Sequence, residues 1–225
     1  MSLQWSRAVA LGCAAAATAC VLSWAGVATG LTPSVLPAPQ LKVGKAQADL
    51  CPTAAAAKAL ADQGVTLGAK SPAVMAHVDG RTCVRLPMTR GEFAADLSTG
   101  SVPADGGITF TKSGGRSLSL TGIVFEFGER TARGTATVEG AAAGAARRQP
   151  VDLFTLDFQL DKTKIDVTKG TAEGAAALGL GKGGDSALKD AFGTNPLPAQ
   201  GAVFDATAGG DATQAVQVLS RALLL

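Results

Sequence analysis

The chain has 225 residues, 47% of them hydrophobic, with 28 glycines, eight phenylalanines, no tyrosine and a formal charge of +2. Once an export segment is set aside, that length suits one domain with a real core and argues against two. So small a charge does not imply a polyanion partner; nucleic acid is not expected, and Arg147-Arg148 reads as a solvated loop.

In chain order, Arg7 precedes an uncharged apolar stretch that ends in small residues near Ala28 and Gly30. Residues 1–30 are read as a signal peptide or a membrane anchor, since about 20 apolar residues also suffice to span a bilayer. Cys20 follows Ala-Thr-Ala, which is the wrong context for a lipoprotein signal. Residues 31–48 read as a proline-rich tether, with the folded part, 49–215, starting near Asp49 and an apolar tail at 216–225. The expected location is extracellular or cell-surface, with membrane contact only through the N-terminal segment. Outside that segment two cysteines remain, Cys51 and Cys83, and an even pair in an exported chain is read as a disulfide.

"CPTAAAAKALADQG" is expected to form a helix stopped at Gly64. Short strands follow at "VTLG", "AVMAHV" and "CVRLPM". In "GGITFTKSGGRSLSLTGIVFEF" the inward parity runs through Leu118 and Leu120, then changes to Ile123, Phe125 and Phe127, so a bulge is expected at Gly122. "TARGTATVE" alternates, "VDLFTLDFQL" puts Phe154, Leu156, Phe158 and Leu160 on one face, and "AEGAAALGLG" is ambiguous between strand and loop. "DSALKDAFG" predicts a second short helix, capped by Asp185 or Ser186 and stopped at Gly193. The fold class expected is mainly β, an antiparallel β-sandwich or open barrel with two short capping helices.

Catalytic motifs are present only in fragments. "GDSAL" resembles a lipase nucleophile block, but the one histidine, His77, lies far upstream, so a serine hydrolase lacks its base. Ser186 with Lys189 and Lys112-Ser113-Gly114 match two penicillin-recognition motifs in reversed order, without the third. Gly179, Gly181 and Gly184 with Asp205 spell a dinucleotide fingerprint, which reads better as a solvated glycine-rich loop. The chain is therefore not expected to be an enzyme. Met75 and His77 share a face of an extended strand, a pairing that suits a soft metal or haem iron.

The segments "VRLPMTRGEF", "LSTGSVPADGGITFTKSGGRSLSLTGIVFEF" and "SALKDAFGTNPLPAQGAVFDATA" together resemble the extracytoplasmic Htaa-type domains of actinobacteria and their secreted relatives. The resemblance covers residues 55–208. It implies a β-rich surface domain, and in the better-known members it implies haem held by tyrosine and histidine. No tyrosine exists here, and Ala104-Asp105 stand where a histidine would precede the glycine pair. The expectation is an exported, non-catalytic binding or structural module with no resident cofactor. Its partner is an apolar small molecule or a cell-envelope component, with an apolar cleft near Phe110, Phe125 and Phe158, positions that serve equally as core. The alternative is a haem or metal carrier through His77 and Met75.

Overall fold

The computed structural model describes residues 38–140, 146–147 and 150–214. Residues 1–30, read above as an export segment, Arg148 and residues 216–225, read as an apolar tail, fall outside the described residues. The chain opens with β1 (Gln40–Pro52), α1 (Ala54–Asp62), β2 (Val65–Lys70), β3 (Val74–Val78), β4 (Arg81–Met88), β5 (Glu92–Ala94) and β6 (Gly100–Pro103). It continues with β7 (Gly107–Lys112), β8 (Arg116–Glu126), β9 (Thr131–Glu139), β10 (Ala146–Arg147) and β11 (Val151–Phe158). After a 3-10 turn at Leu160–Lys162 come β12 (Lys164–Asp166), β13 (Thr171–Leu180), α2 (Lys182–Phe192) and β14 (Ala202–Gln214).

All pairings are antiparallel, and eight strands close a barrel in the order β8–β9–β11–β13–β14–β1–β5–β6 and back to β8. Of the two architectures expected, the barrel forms, and closure removes the open edges that a sandwich would leave. Two long strands carry additional partners. The first residues of β1 pair with β5, whereas Ala46 to Leu50 pair with β4, which pairs onward with β3. Likewise β8 gives its first half to β7, which pairs onward with β2, and its last residues to β6.

β1 begins inside the stretch read as a tether. The prolines at 33, 37 and 39 all precede Gln40, so nothing in the chain blocks a ladder beyond that residue. The expected bulge is present: Gly122 has φ +60°, and the β8–β9 register shifts between Thr121 and Val124. Gly114 and Gly115, with φ of +102° and +85°, turn β7 into β8 and account for "KSGG" without chemistry. "AEGAAALGLG" is a full central strand, β13, paired on both sides. Leu160 leaves the strand for the 3-10 turn and is 66% exposed rather than inward.

Each helix covers the fold with one apolar face. α1 is capped by Thr53, whose Oγ1 accepts from Ala56 N at 3.2 Å and also donates to the Ala202 carbonyl. α2 buries Gly184, Ala187, Leu188, Ala191 and Phe192, one stripe at helical spacing, against β8, β9 and β11. Its N-cap is Gly181, with no side-chain cap, so the capping role expected of Asp185 or Ser186 is not the one they have. Gly193 ends the helix in the left-handed region, φ +80°, as expected.

Candidate functional site

The fold holds a filled core and, beside it, an apolar cavity. Phe154 and Phe204 meet edge to face at 5.7 Å, and with Leu50, Leu86, Ile108, Phe110 and Leu118 they belong to the core. The cavity has a volume of about 140 Å³ and is lined almost wholly by apolar atoms.

The cavity exists because one wall has side chains too small to fill it. The inward positions of β13 are Ala172, Gly174 and Ala176 before Leu178; those of β14 are Ala206, Ala208, Gly210 and Ala212. Ala46 and Ala48 of β1 continue the same surface. In a barrel of eight strands the interior is just wide enough for ordinary side chains, so three adjacent strands of Ala and Gly leave a void. The facing wall is aromatic. Phe93, Phe127 and Phe158 stack with centroids 5.3 and 5.4 Å apart and planes inclined by 16° and 1°. Met88, Val102, Phe125 and Leu156 close the remaining sides.

Thr163, Ile165, Leu97, Glu173 and Asp211 also line it. Ala208 is exposed although it belongs to this inward row, so solvent reaches the cavity there. Leu97 holds a left-handed backbone, φ +59°, uncommon for a side chain of that bulk. Asp96 stabilises its loop by accepting from the Ser98 backbone N–H at 3.0 Å and from the Ser98 hydroxyl at 2.6 Å. These bonds, the hydroxyl's first, hold the Asp96 carboxyl below its ordinary range.

The residues singled out from sequence divide cleanly. Phe125 and Phe158 line the cavity, whereas Phe110 is fully buried in the core and does not line it. Met75, 41% exposed, and His77, also exposed, share a face of β3 and are not part of the cavity lining. Cys51 and Cys83 form the disulfide, joining β1 directly to β4. Ser186 is exposed, and Lys189 donates to Asp185 at 2.7 Å rather than serving the serine. Asp205, the acid of the dinucleotide pattern, pairs with Arg81 at 2.6 Å. The glycines of that pattern are not a solvated loop: they let α2 press on β11, with Gly181 and Gly184 against the backbone of Asp152 and Leu153.

No known family pattern matches this sequence, and no curated protein does. Among solved structures, the C-terminal domain of HtaA from Corynebacterium glutamicum superposes with a TM-score of 0.57 at 17% identity, covering 76% of this chain and 99% of that one. The fold is of the HtaA type. The heme-binding protein HtaB from Corynebacterium glutamicum is also similar, at 12% identity and a TM-score of 0.49, over 77% of this chain and 94% of that one.

Within the HtaA-type fold, the cavity does not suit haem iron. Protein ligands to haem are His, Cys, Met or Tyr. The lining holds no His, Cys or Tyr, and its one thioether, Met88, is buried in the wall. The size disagrees too: an apolar void of about 150 Å³ takes a molecule as small as benzene, and sites for larger ligands start near 300 Å³. Among the described residues no group of three or more His, Cys, Asp or Glu could hold a metal, and no helix is long and apolar enough to cross a membrane.

Proposed function

We propose that this protein is an exported, non-catalytic binding module whose barrel cavity takes an apolar molecule or the apolar part of a larger one. The observation that carries this reading is the Ala and Gly wall of β13, β14 and β1 facing the Phe93–Phe127–Phe158 stack. A cavity that served only folding would be a cost: each methylene-sized void loses about 1 kcal/mol of packing, and larger aliphatic residues on these strands would fill it. Small residues kept on three adjacent strands make sense where a ligand supplies the missing volume.

The test is native mass spectrometry of the full chain recovered from its own culture supernatant and membranes, together with xenon binding by nuclear magnetic resonance. A retained organic mass and a saturable xenon site, both lost in Gly174→Leu, support the reading. The Gly174 position suits such a variant, since an added Cβ meets nothing closer than Thr163 Oγ1 at 3.6 Å. A folded protein that takes up no xenon overturns it. The second reading, a haem or metal carrier through His77 and Met75, draws on one observation, their common exposed face on β3.

A further inference from the structure

One end of the barrel keeps apolar side chains open to water. Leu97, Phe127, Phe158 and Ile165 line the cavity and are only half-buried. Two more are exposed outright: Leu160, in the 3-10 turn between β11 and β12, at 66%, and Val167, in the turn between β12 and β13, at 45%. The register puts all six at the same end. Phe158 is in the last β11–β13 pair, Ile165 faces Ala172 at the start of β13, and Phe127 follows the closing Glu126–Thr131 pair of β8 and β9. Leu97 belongs to the loop between β5 and β6, and the Val167 turn meets β14, because the Gly170 carbonyl accepts from the Ala212 N–H. Single exposed aliphatics are ordinary on a protein surface, but a group of them around an apolar cavity marks a place where something docks.

The chain connections favour a lipid surface as the occupant. The sequence outside the described residues joins the fold at this same end: the Pro39 carbonyl accepts from the Ala95 N–H, two residues from Leu97, and Gln214 pairs with Leu41. Residues 8–41 carry no charge, and residues 215–225 carry one, Arg221. The composition of the exposed turns agrees. Lys162, Lys164 and Lys169 alternate with Leu160 and Val167, and lysine stems lie along apolar surface while their charges stay at headgroup level. Asp161 and Asp166 offset much of that charge, and Asp166 pairs with Lys169 at 3.4 Å, so apolar insertion has to supply the hold. We infer that this end of the barrel docks on a lipid bilayer, with Leu160 and Val167 entering the interface and the half-buried rim passing an apolar ligand between lipid and cavity. The passage of a ligand rests on the cavity reading above; the docking rests on the exposed end alone.

Hydrogen exchange of the full protein, with and without phosphatidylcholine vesicles, tests this. A retained N-terminal anchor would hold every variant on the vesicle, so local protection replaces co-flotation as the readout. Amides of 95–99, 127–130 and 159–170 should exchange about tenfold more slowly on vesicles, in ~0.5 M salt as in low salt. Leu160→Asp combined with Val167→Asp should return them to the lipid-free rate without lowering the melting temperature, since both side chains are exposed. Unchanged exchange on vesicles, protection confined to β3 around Val74 and Met75, or protection that salt removes would overturn the proposal. Protection that arises without vesicles as protein concentration rises also overturns it, in favour of a second copy of the chain. Xenon separates the two readings: a saturable xenon site without loop protection sinks the docking alone, and loop protection without a xenon site sinks the cavity reading alone.

Discussion

Arg85 grips Asp49 through two parallel hydrogen bonds, Nε to Oδ1 at 2.6 Å and Nη2 to Oδ2 at 2.8 Å, across directly paired positions of β4 and β1. Asp49 is only 8% exposed, so this fork supplies the hydrogen bonds that water would otherwise give it. The bonds hold the Arg85 guanidinium above its usual pKa. Removing either partner therefore has unequal effects. Arg85→Ala strands a buried carboxylate and should cost about 2–3 kcal/mol in urea unfolding. Asp49→Ala should cost less, because the freed guanidinium, a third exposed, can turn to water. Equal losses would contradict this account.

Two residues from Asp49, Cys51 is bonded to Cys83, closing a loop across 32 positions. On the chain-entropy view such a closure stabilises by roughly 3–4 kcal/mol. The paired Cys51→Ser, Cys83→Ser variant should lose about that much, and the loss should disappear when wild type is compared under reducing conditions. Alkylation of the unreduced folded protein should leave both residues unlabelled; labelling at either shows that the bridge is not formed.

Asp185 accepts from Lys189 at 2.7 Å and from Asn195 Nδ2 at 2.8 Å, and Asn195 Oδ1 in turn accepts from the Leu197 N–H. The lysine first, and then the asparagine, depress the Asp185 carboxyl. A depressed folded-state value means stability present above the ordinary carboxylate range, about 3.9, and lost as pH falls through the folded value. Asp185→Asn should therefore lower stability at pH 7 and converge with wild type as the pH falls through the depressed folded value. The acid limb should flatten without vanishing, because Asp96 is depressed by Ser98 and acts with the same sign. Parallel curves for the two proteins would refute the linkage.

Haemin gives a sharp test of the cavity. With no His, Cys or Tyr in its lining, haemin added to the purified protein should show no Soret shift typical of a protein-ligated iron. A shift that vanishes in His77→Ala would move the function to β3 and to the carrier reading.

Much of this was legible in the sequence, and the losses share one cause. Alternation revealed β9, the Gly122 bulge and the Gly114-Gly115 turn because large apolar and polar residues take opposite parities there. β13 carries alternation too, but between Ala or Gly and other small residues, so its amplitude was too low to separate strand from loop. The same weakness hid the site. Ala172, Gly174, Ala208 and Gly210 matter for the volume they leave empty, and an empty volume becomes visible only when three strands stand side by side. Phe93 and Phe127 were likewise invisible as partners of Phe158, since their stack joins β5, the end of β8 and β11. The cap on α2 was misplaced because Gly181 starts the helix early, drawn in by the close contact of Gly184 with β11.

β1 is the first strand of the barrel in chain order, and it is hydrogen-bonded along both edges, to β14 on one side and to β5 and β4 on the other. Tension applied to the chain before Gln40 would run along that strand, loading its ladders in shear, so that many bonds must yield together rather than one after another. Should they yield, the Cys51–Cys83 bridge still withholds the loop between them, about 110 Å of contour. A pull from the N-terminal side would thus meet the β1 ladders first, and the bridge would keep that one loop out of the released length.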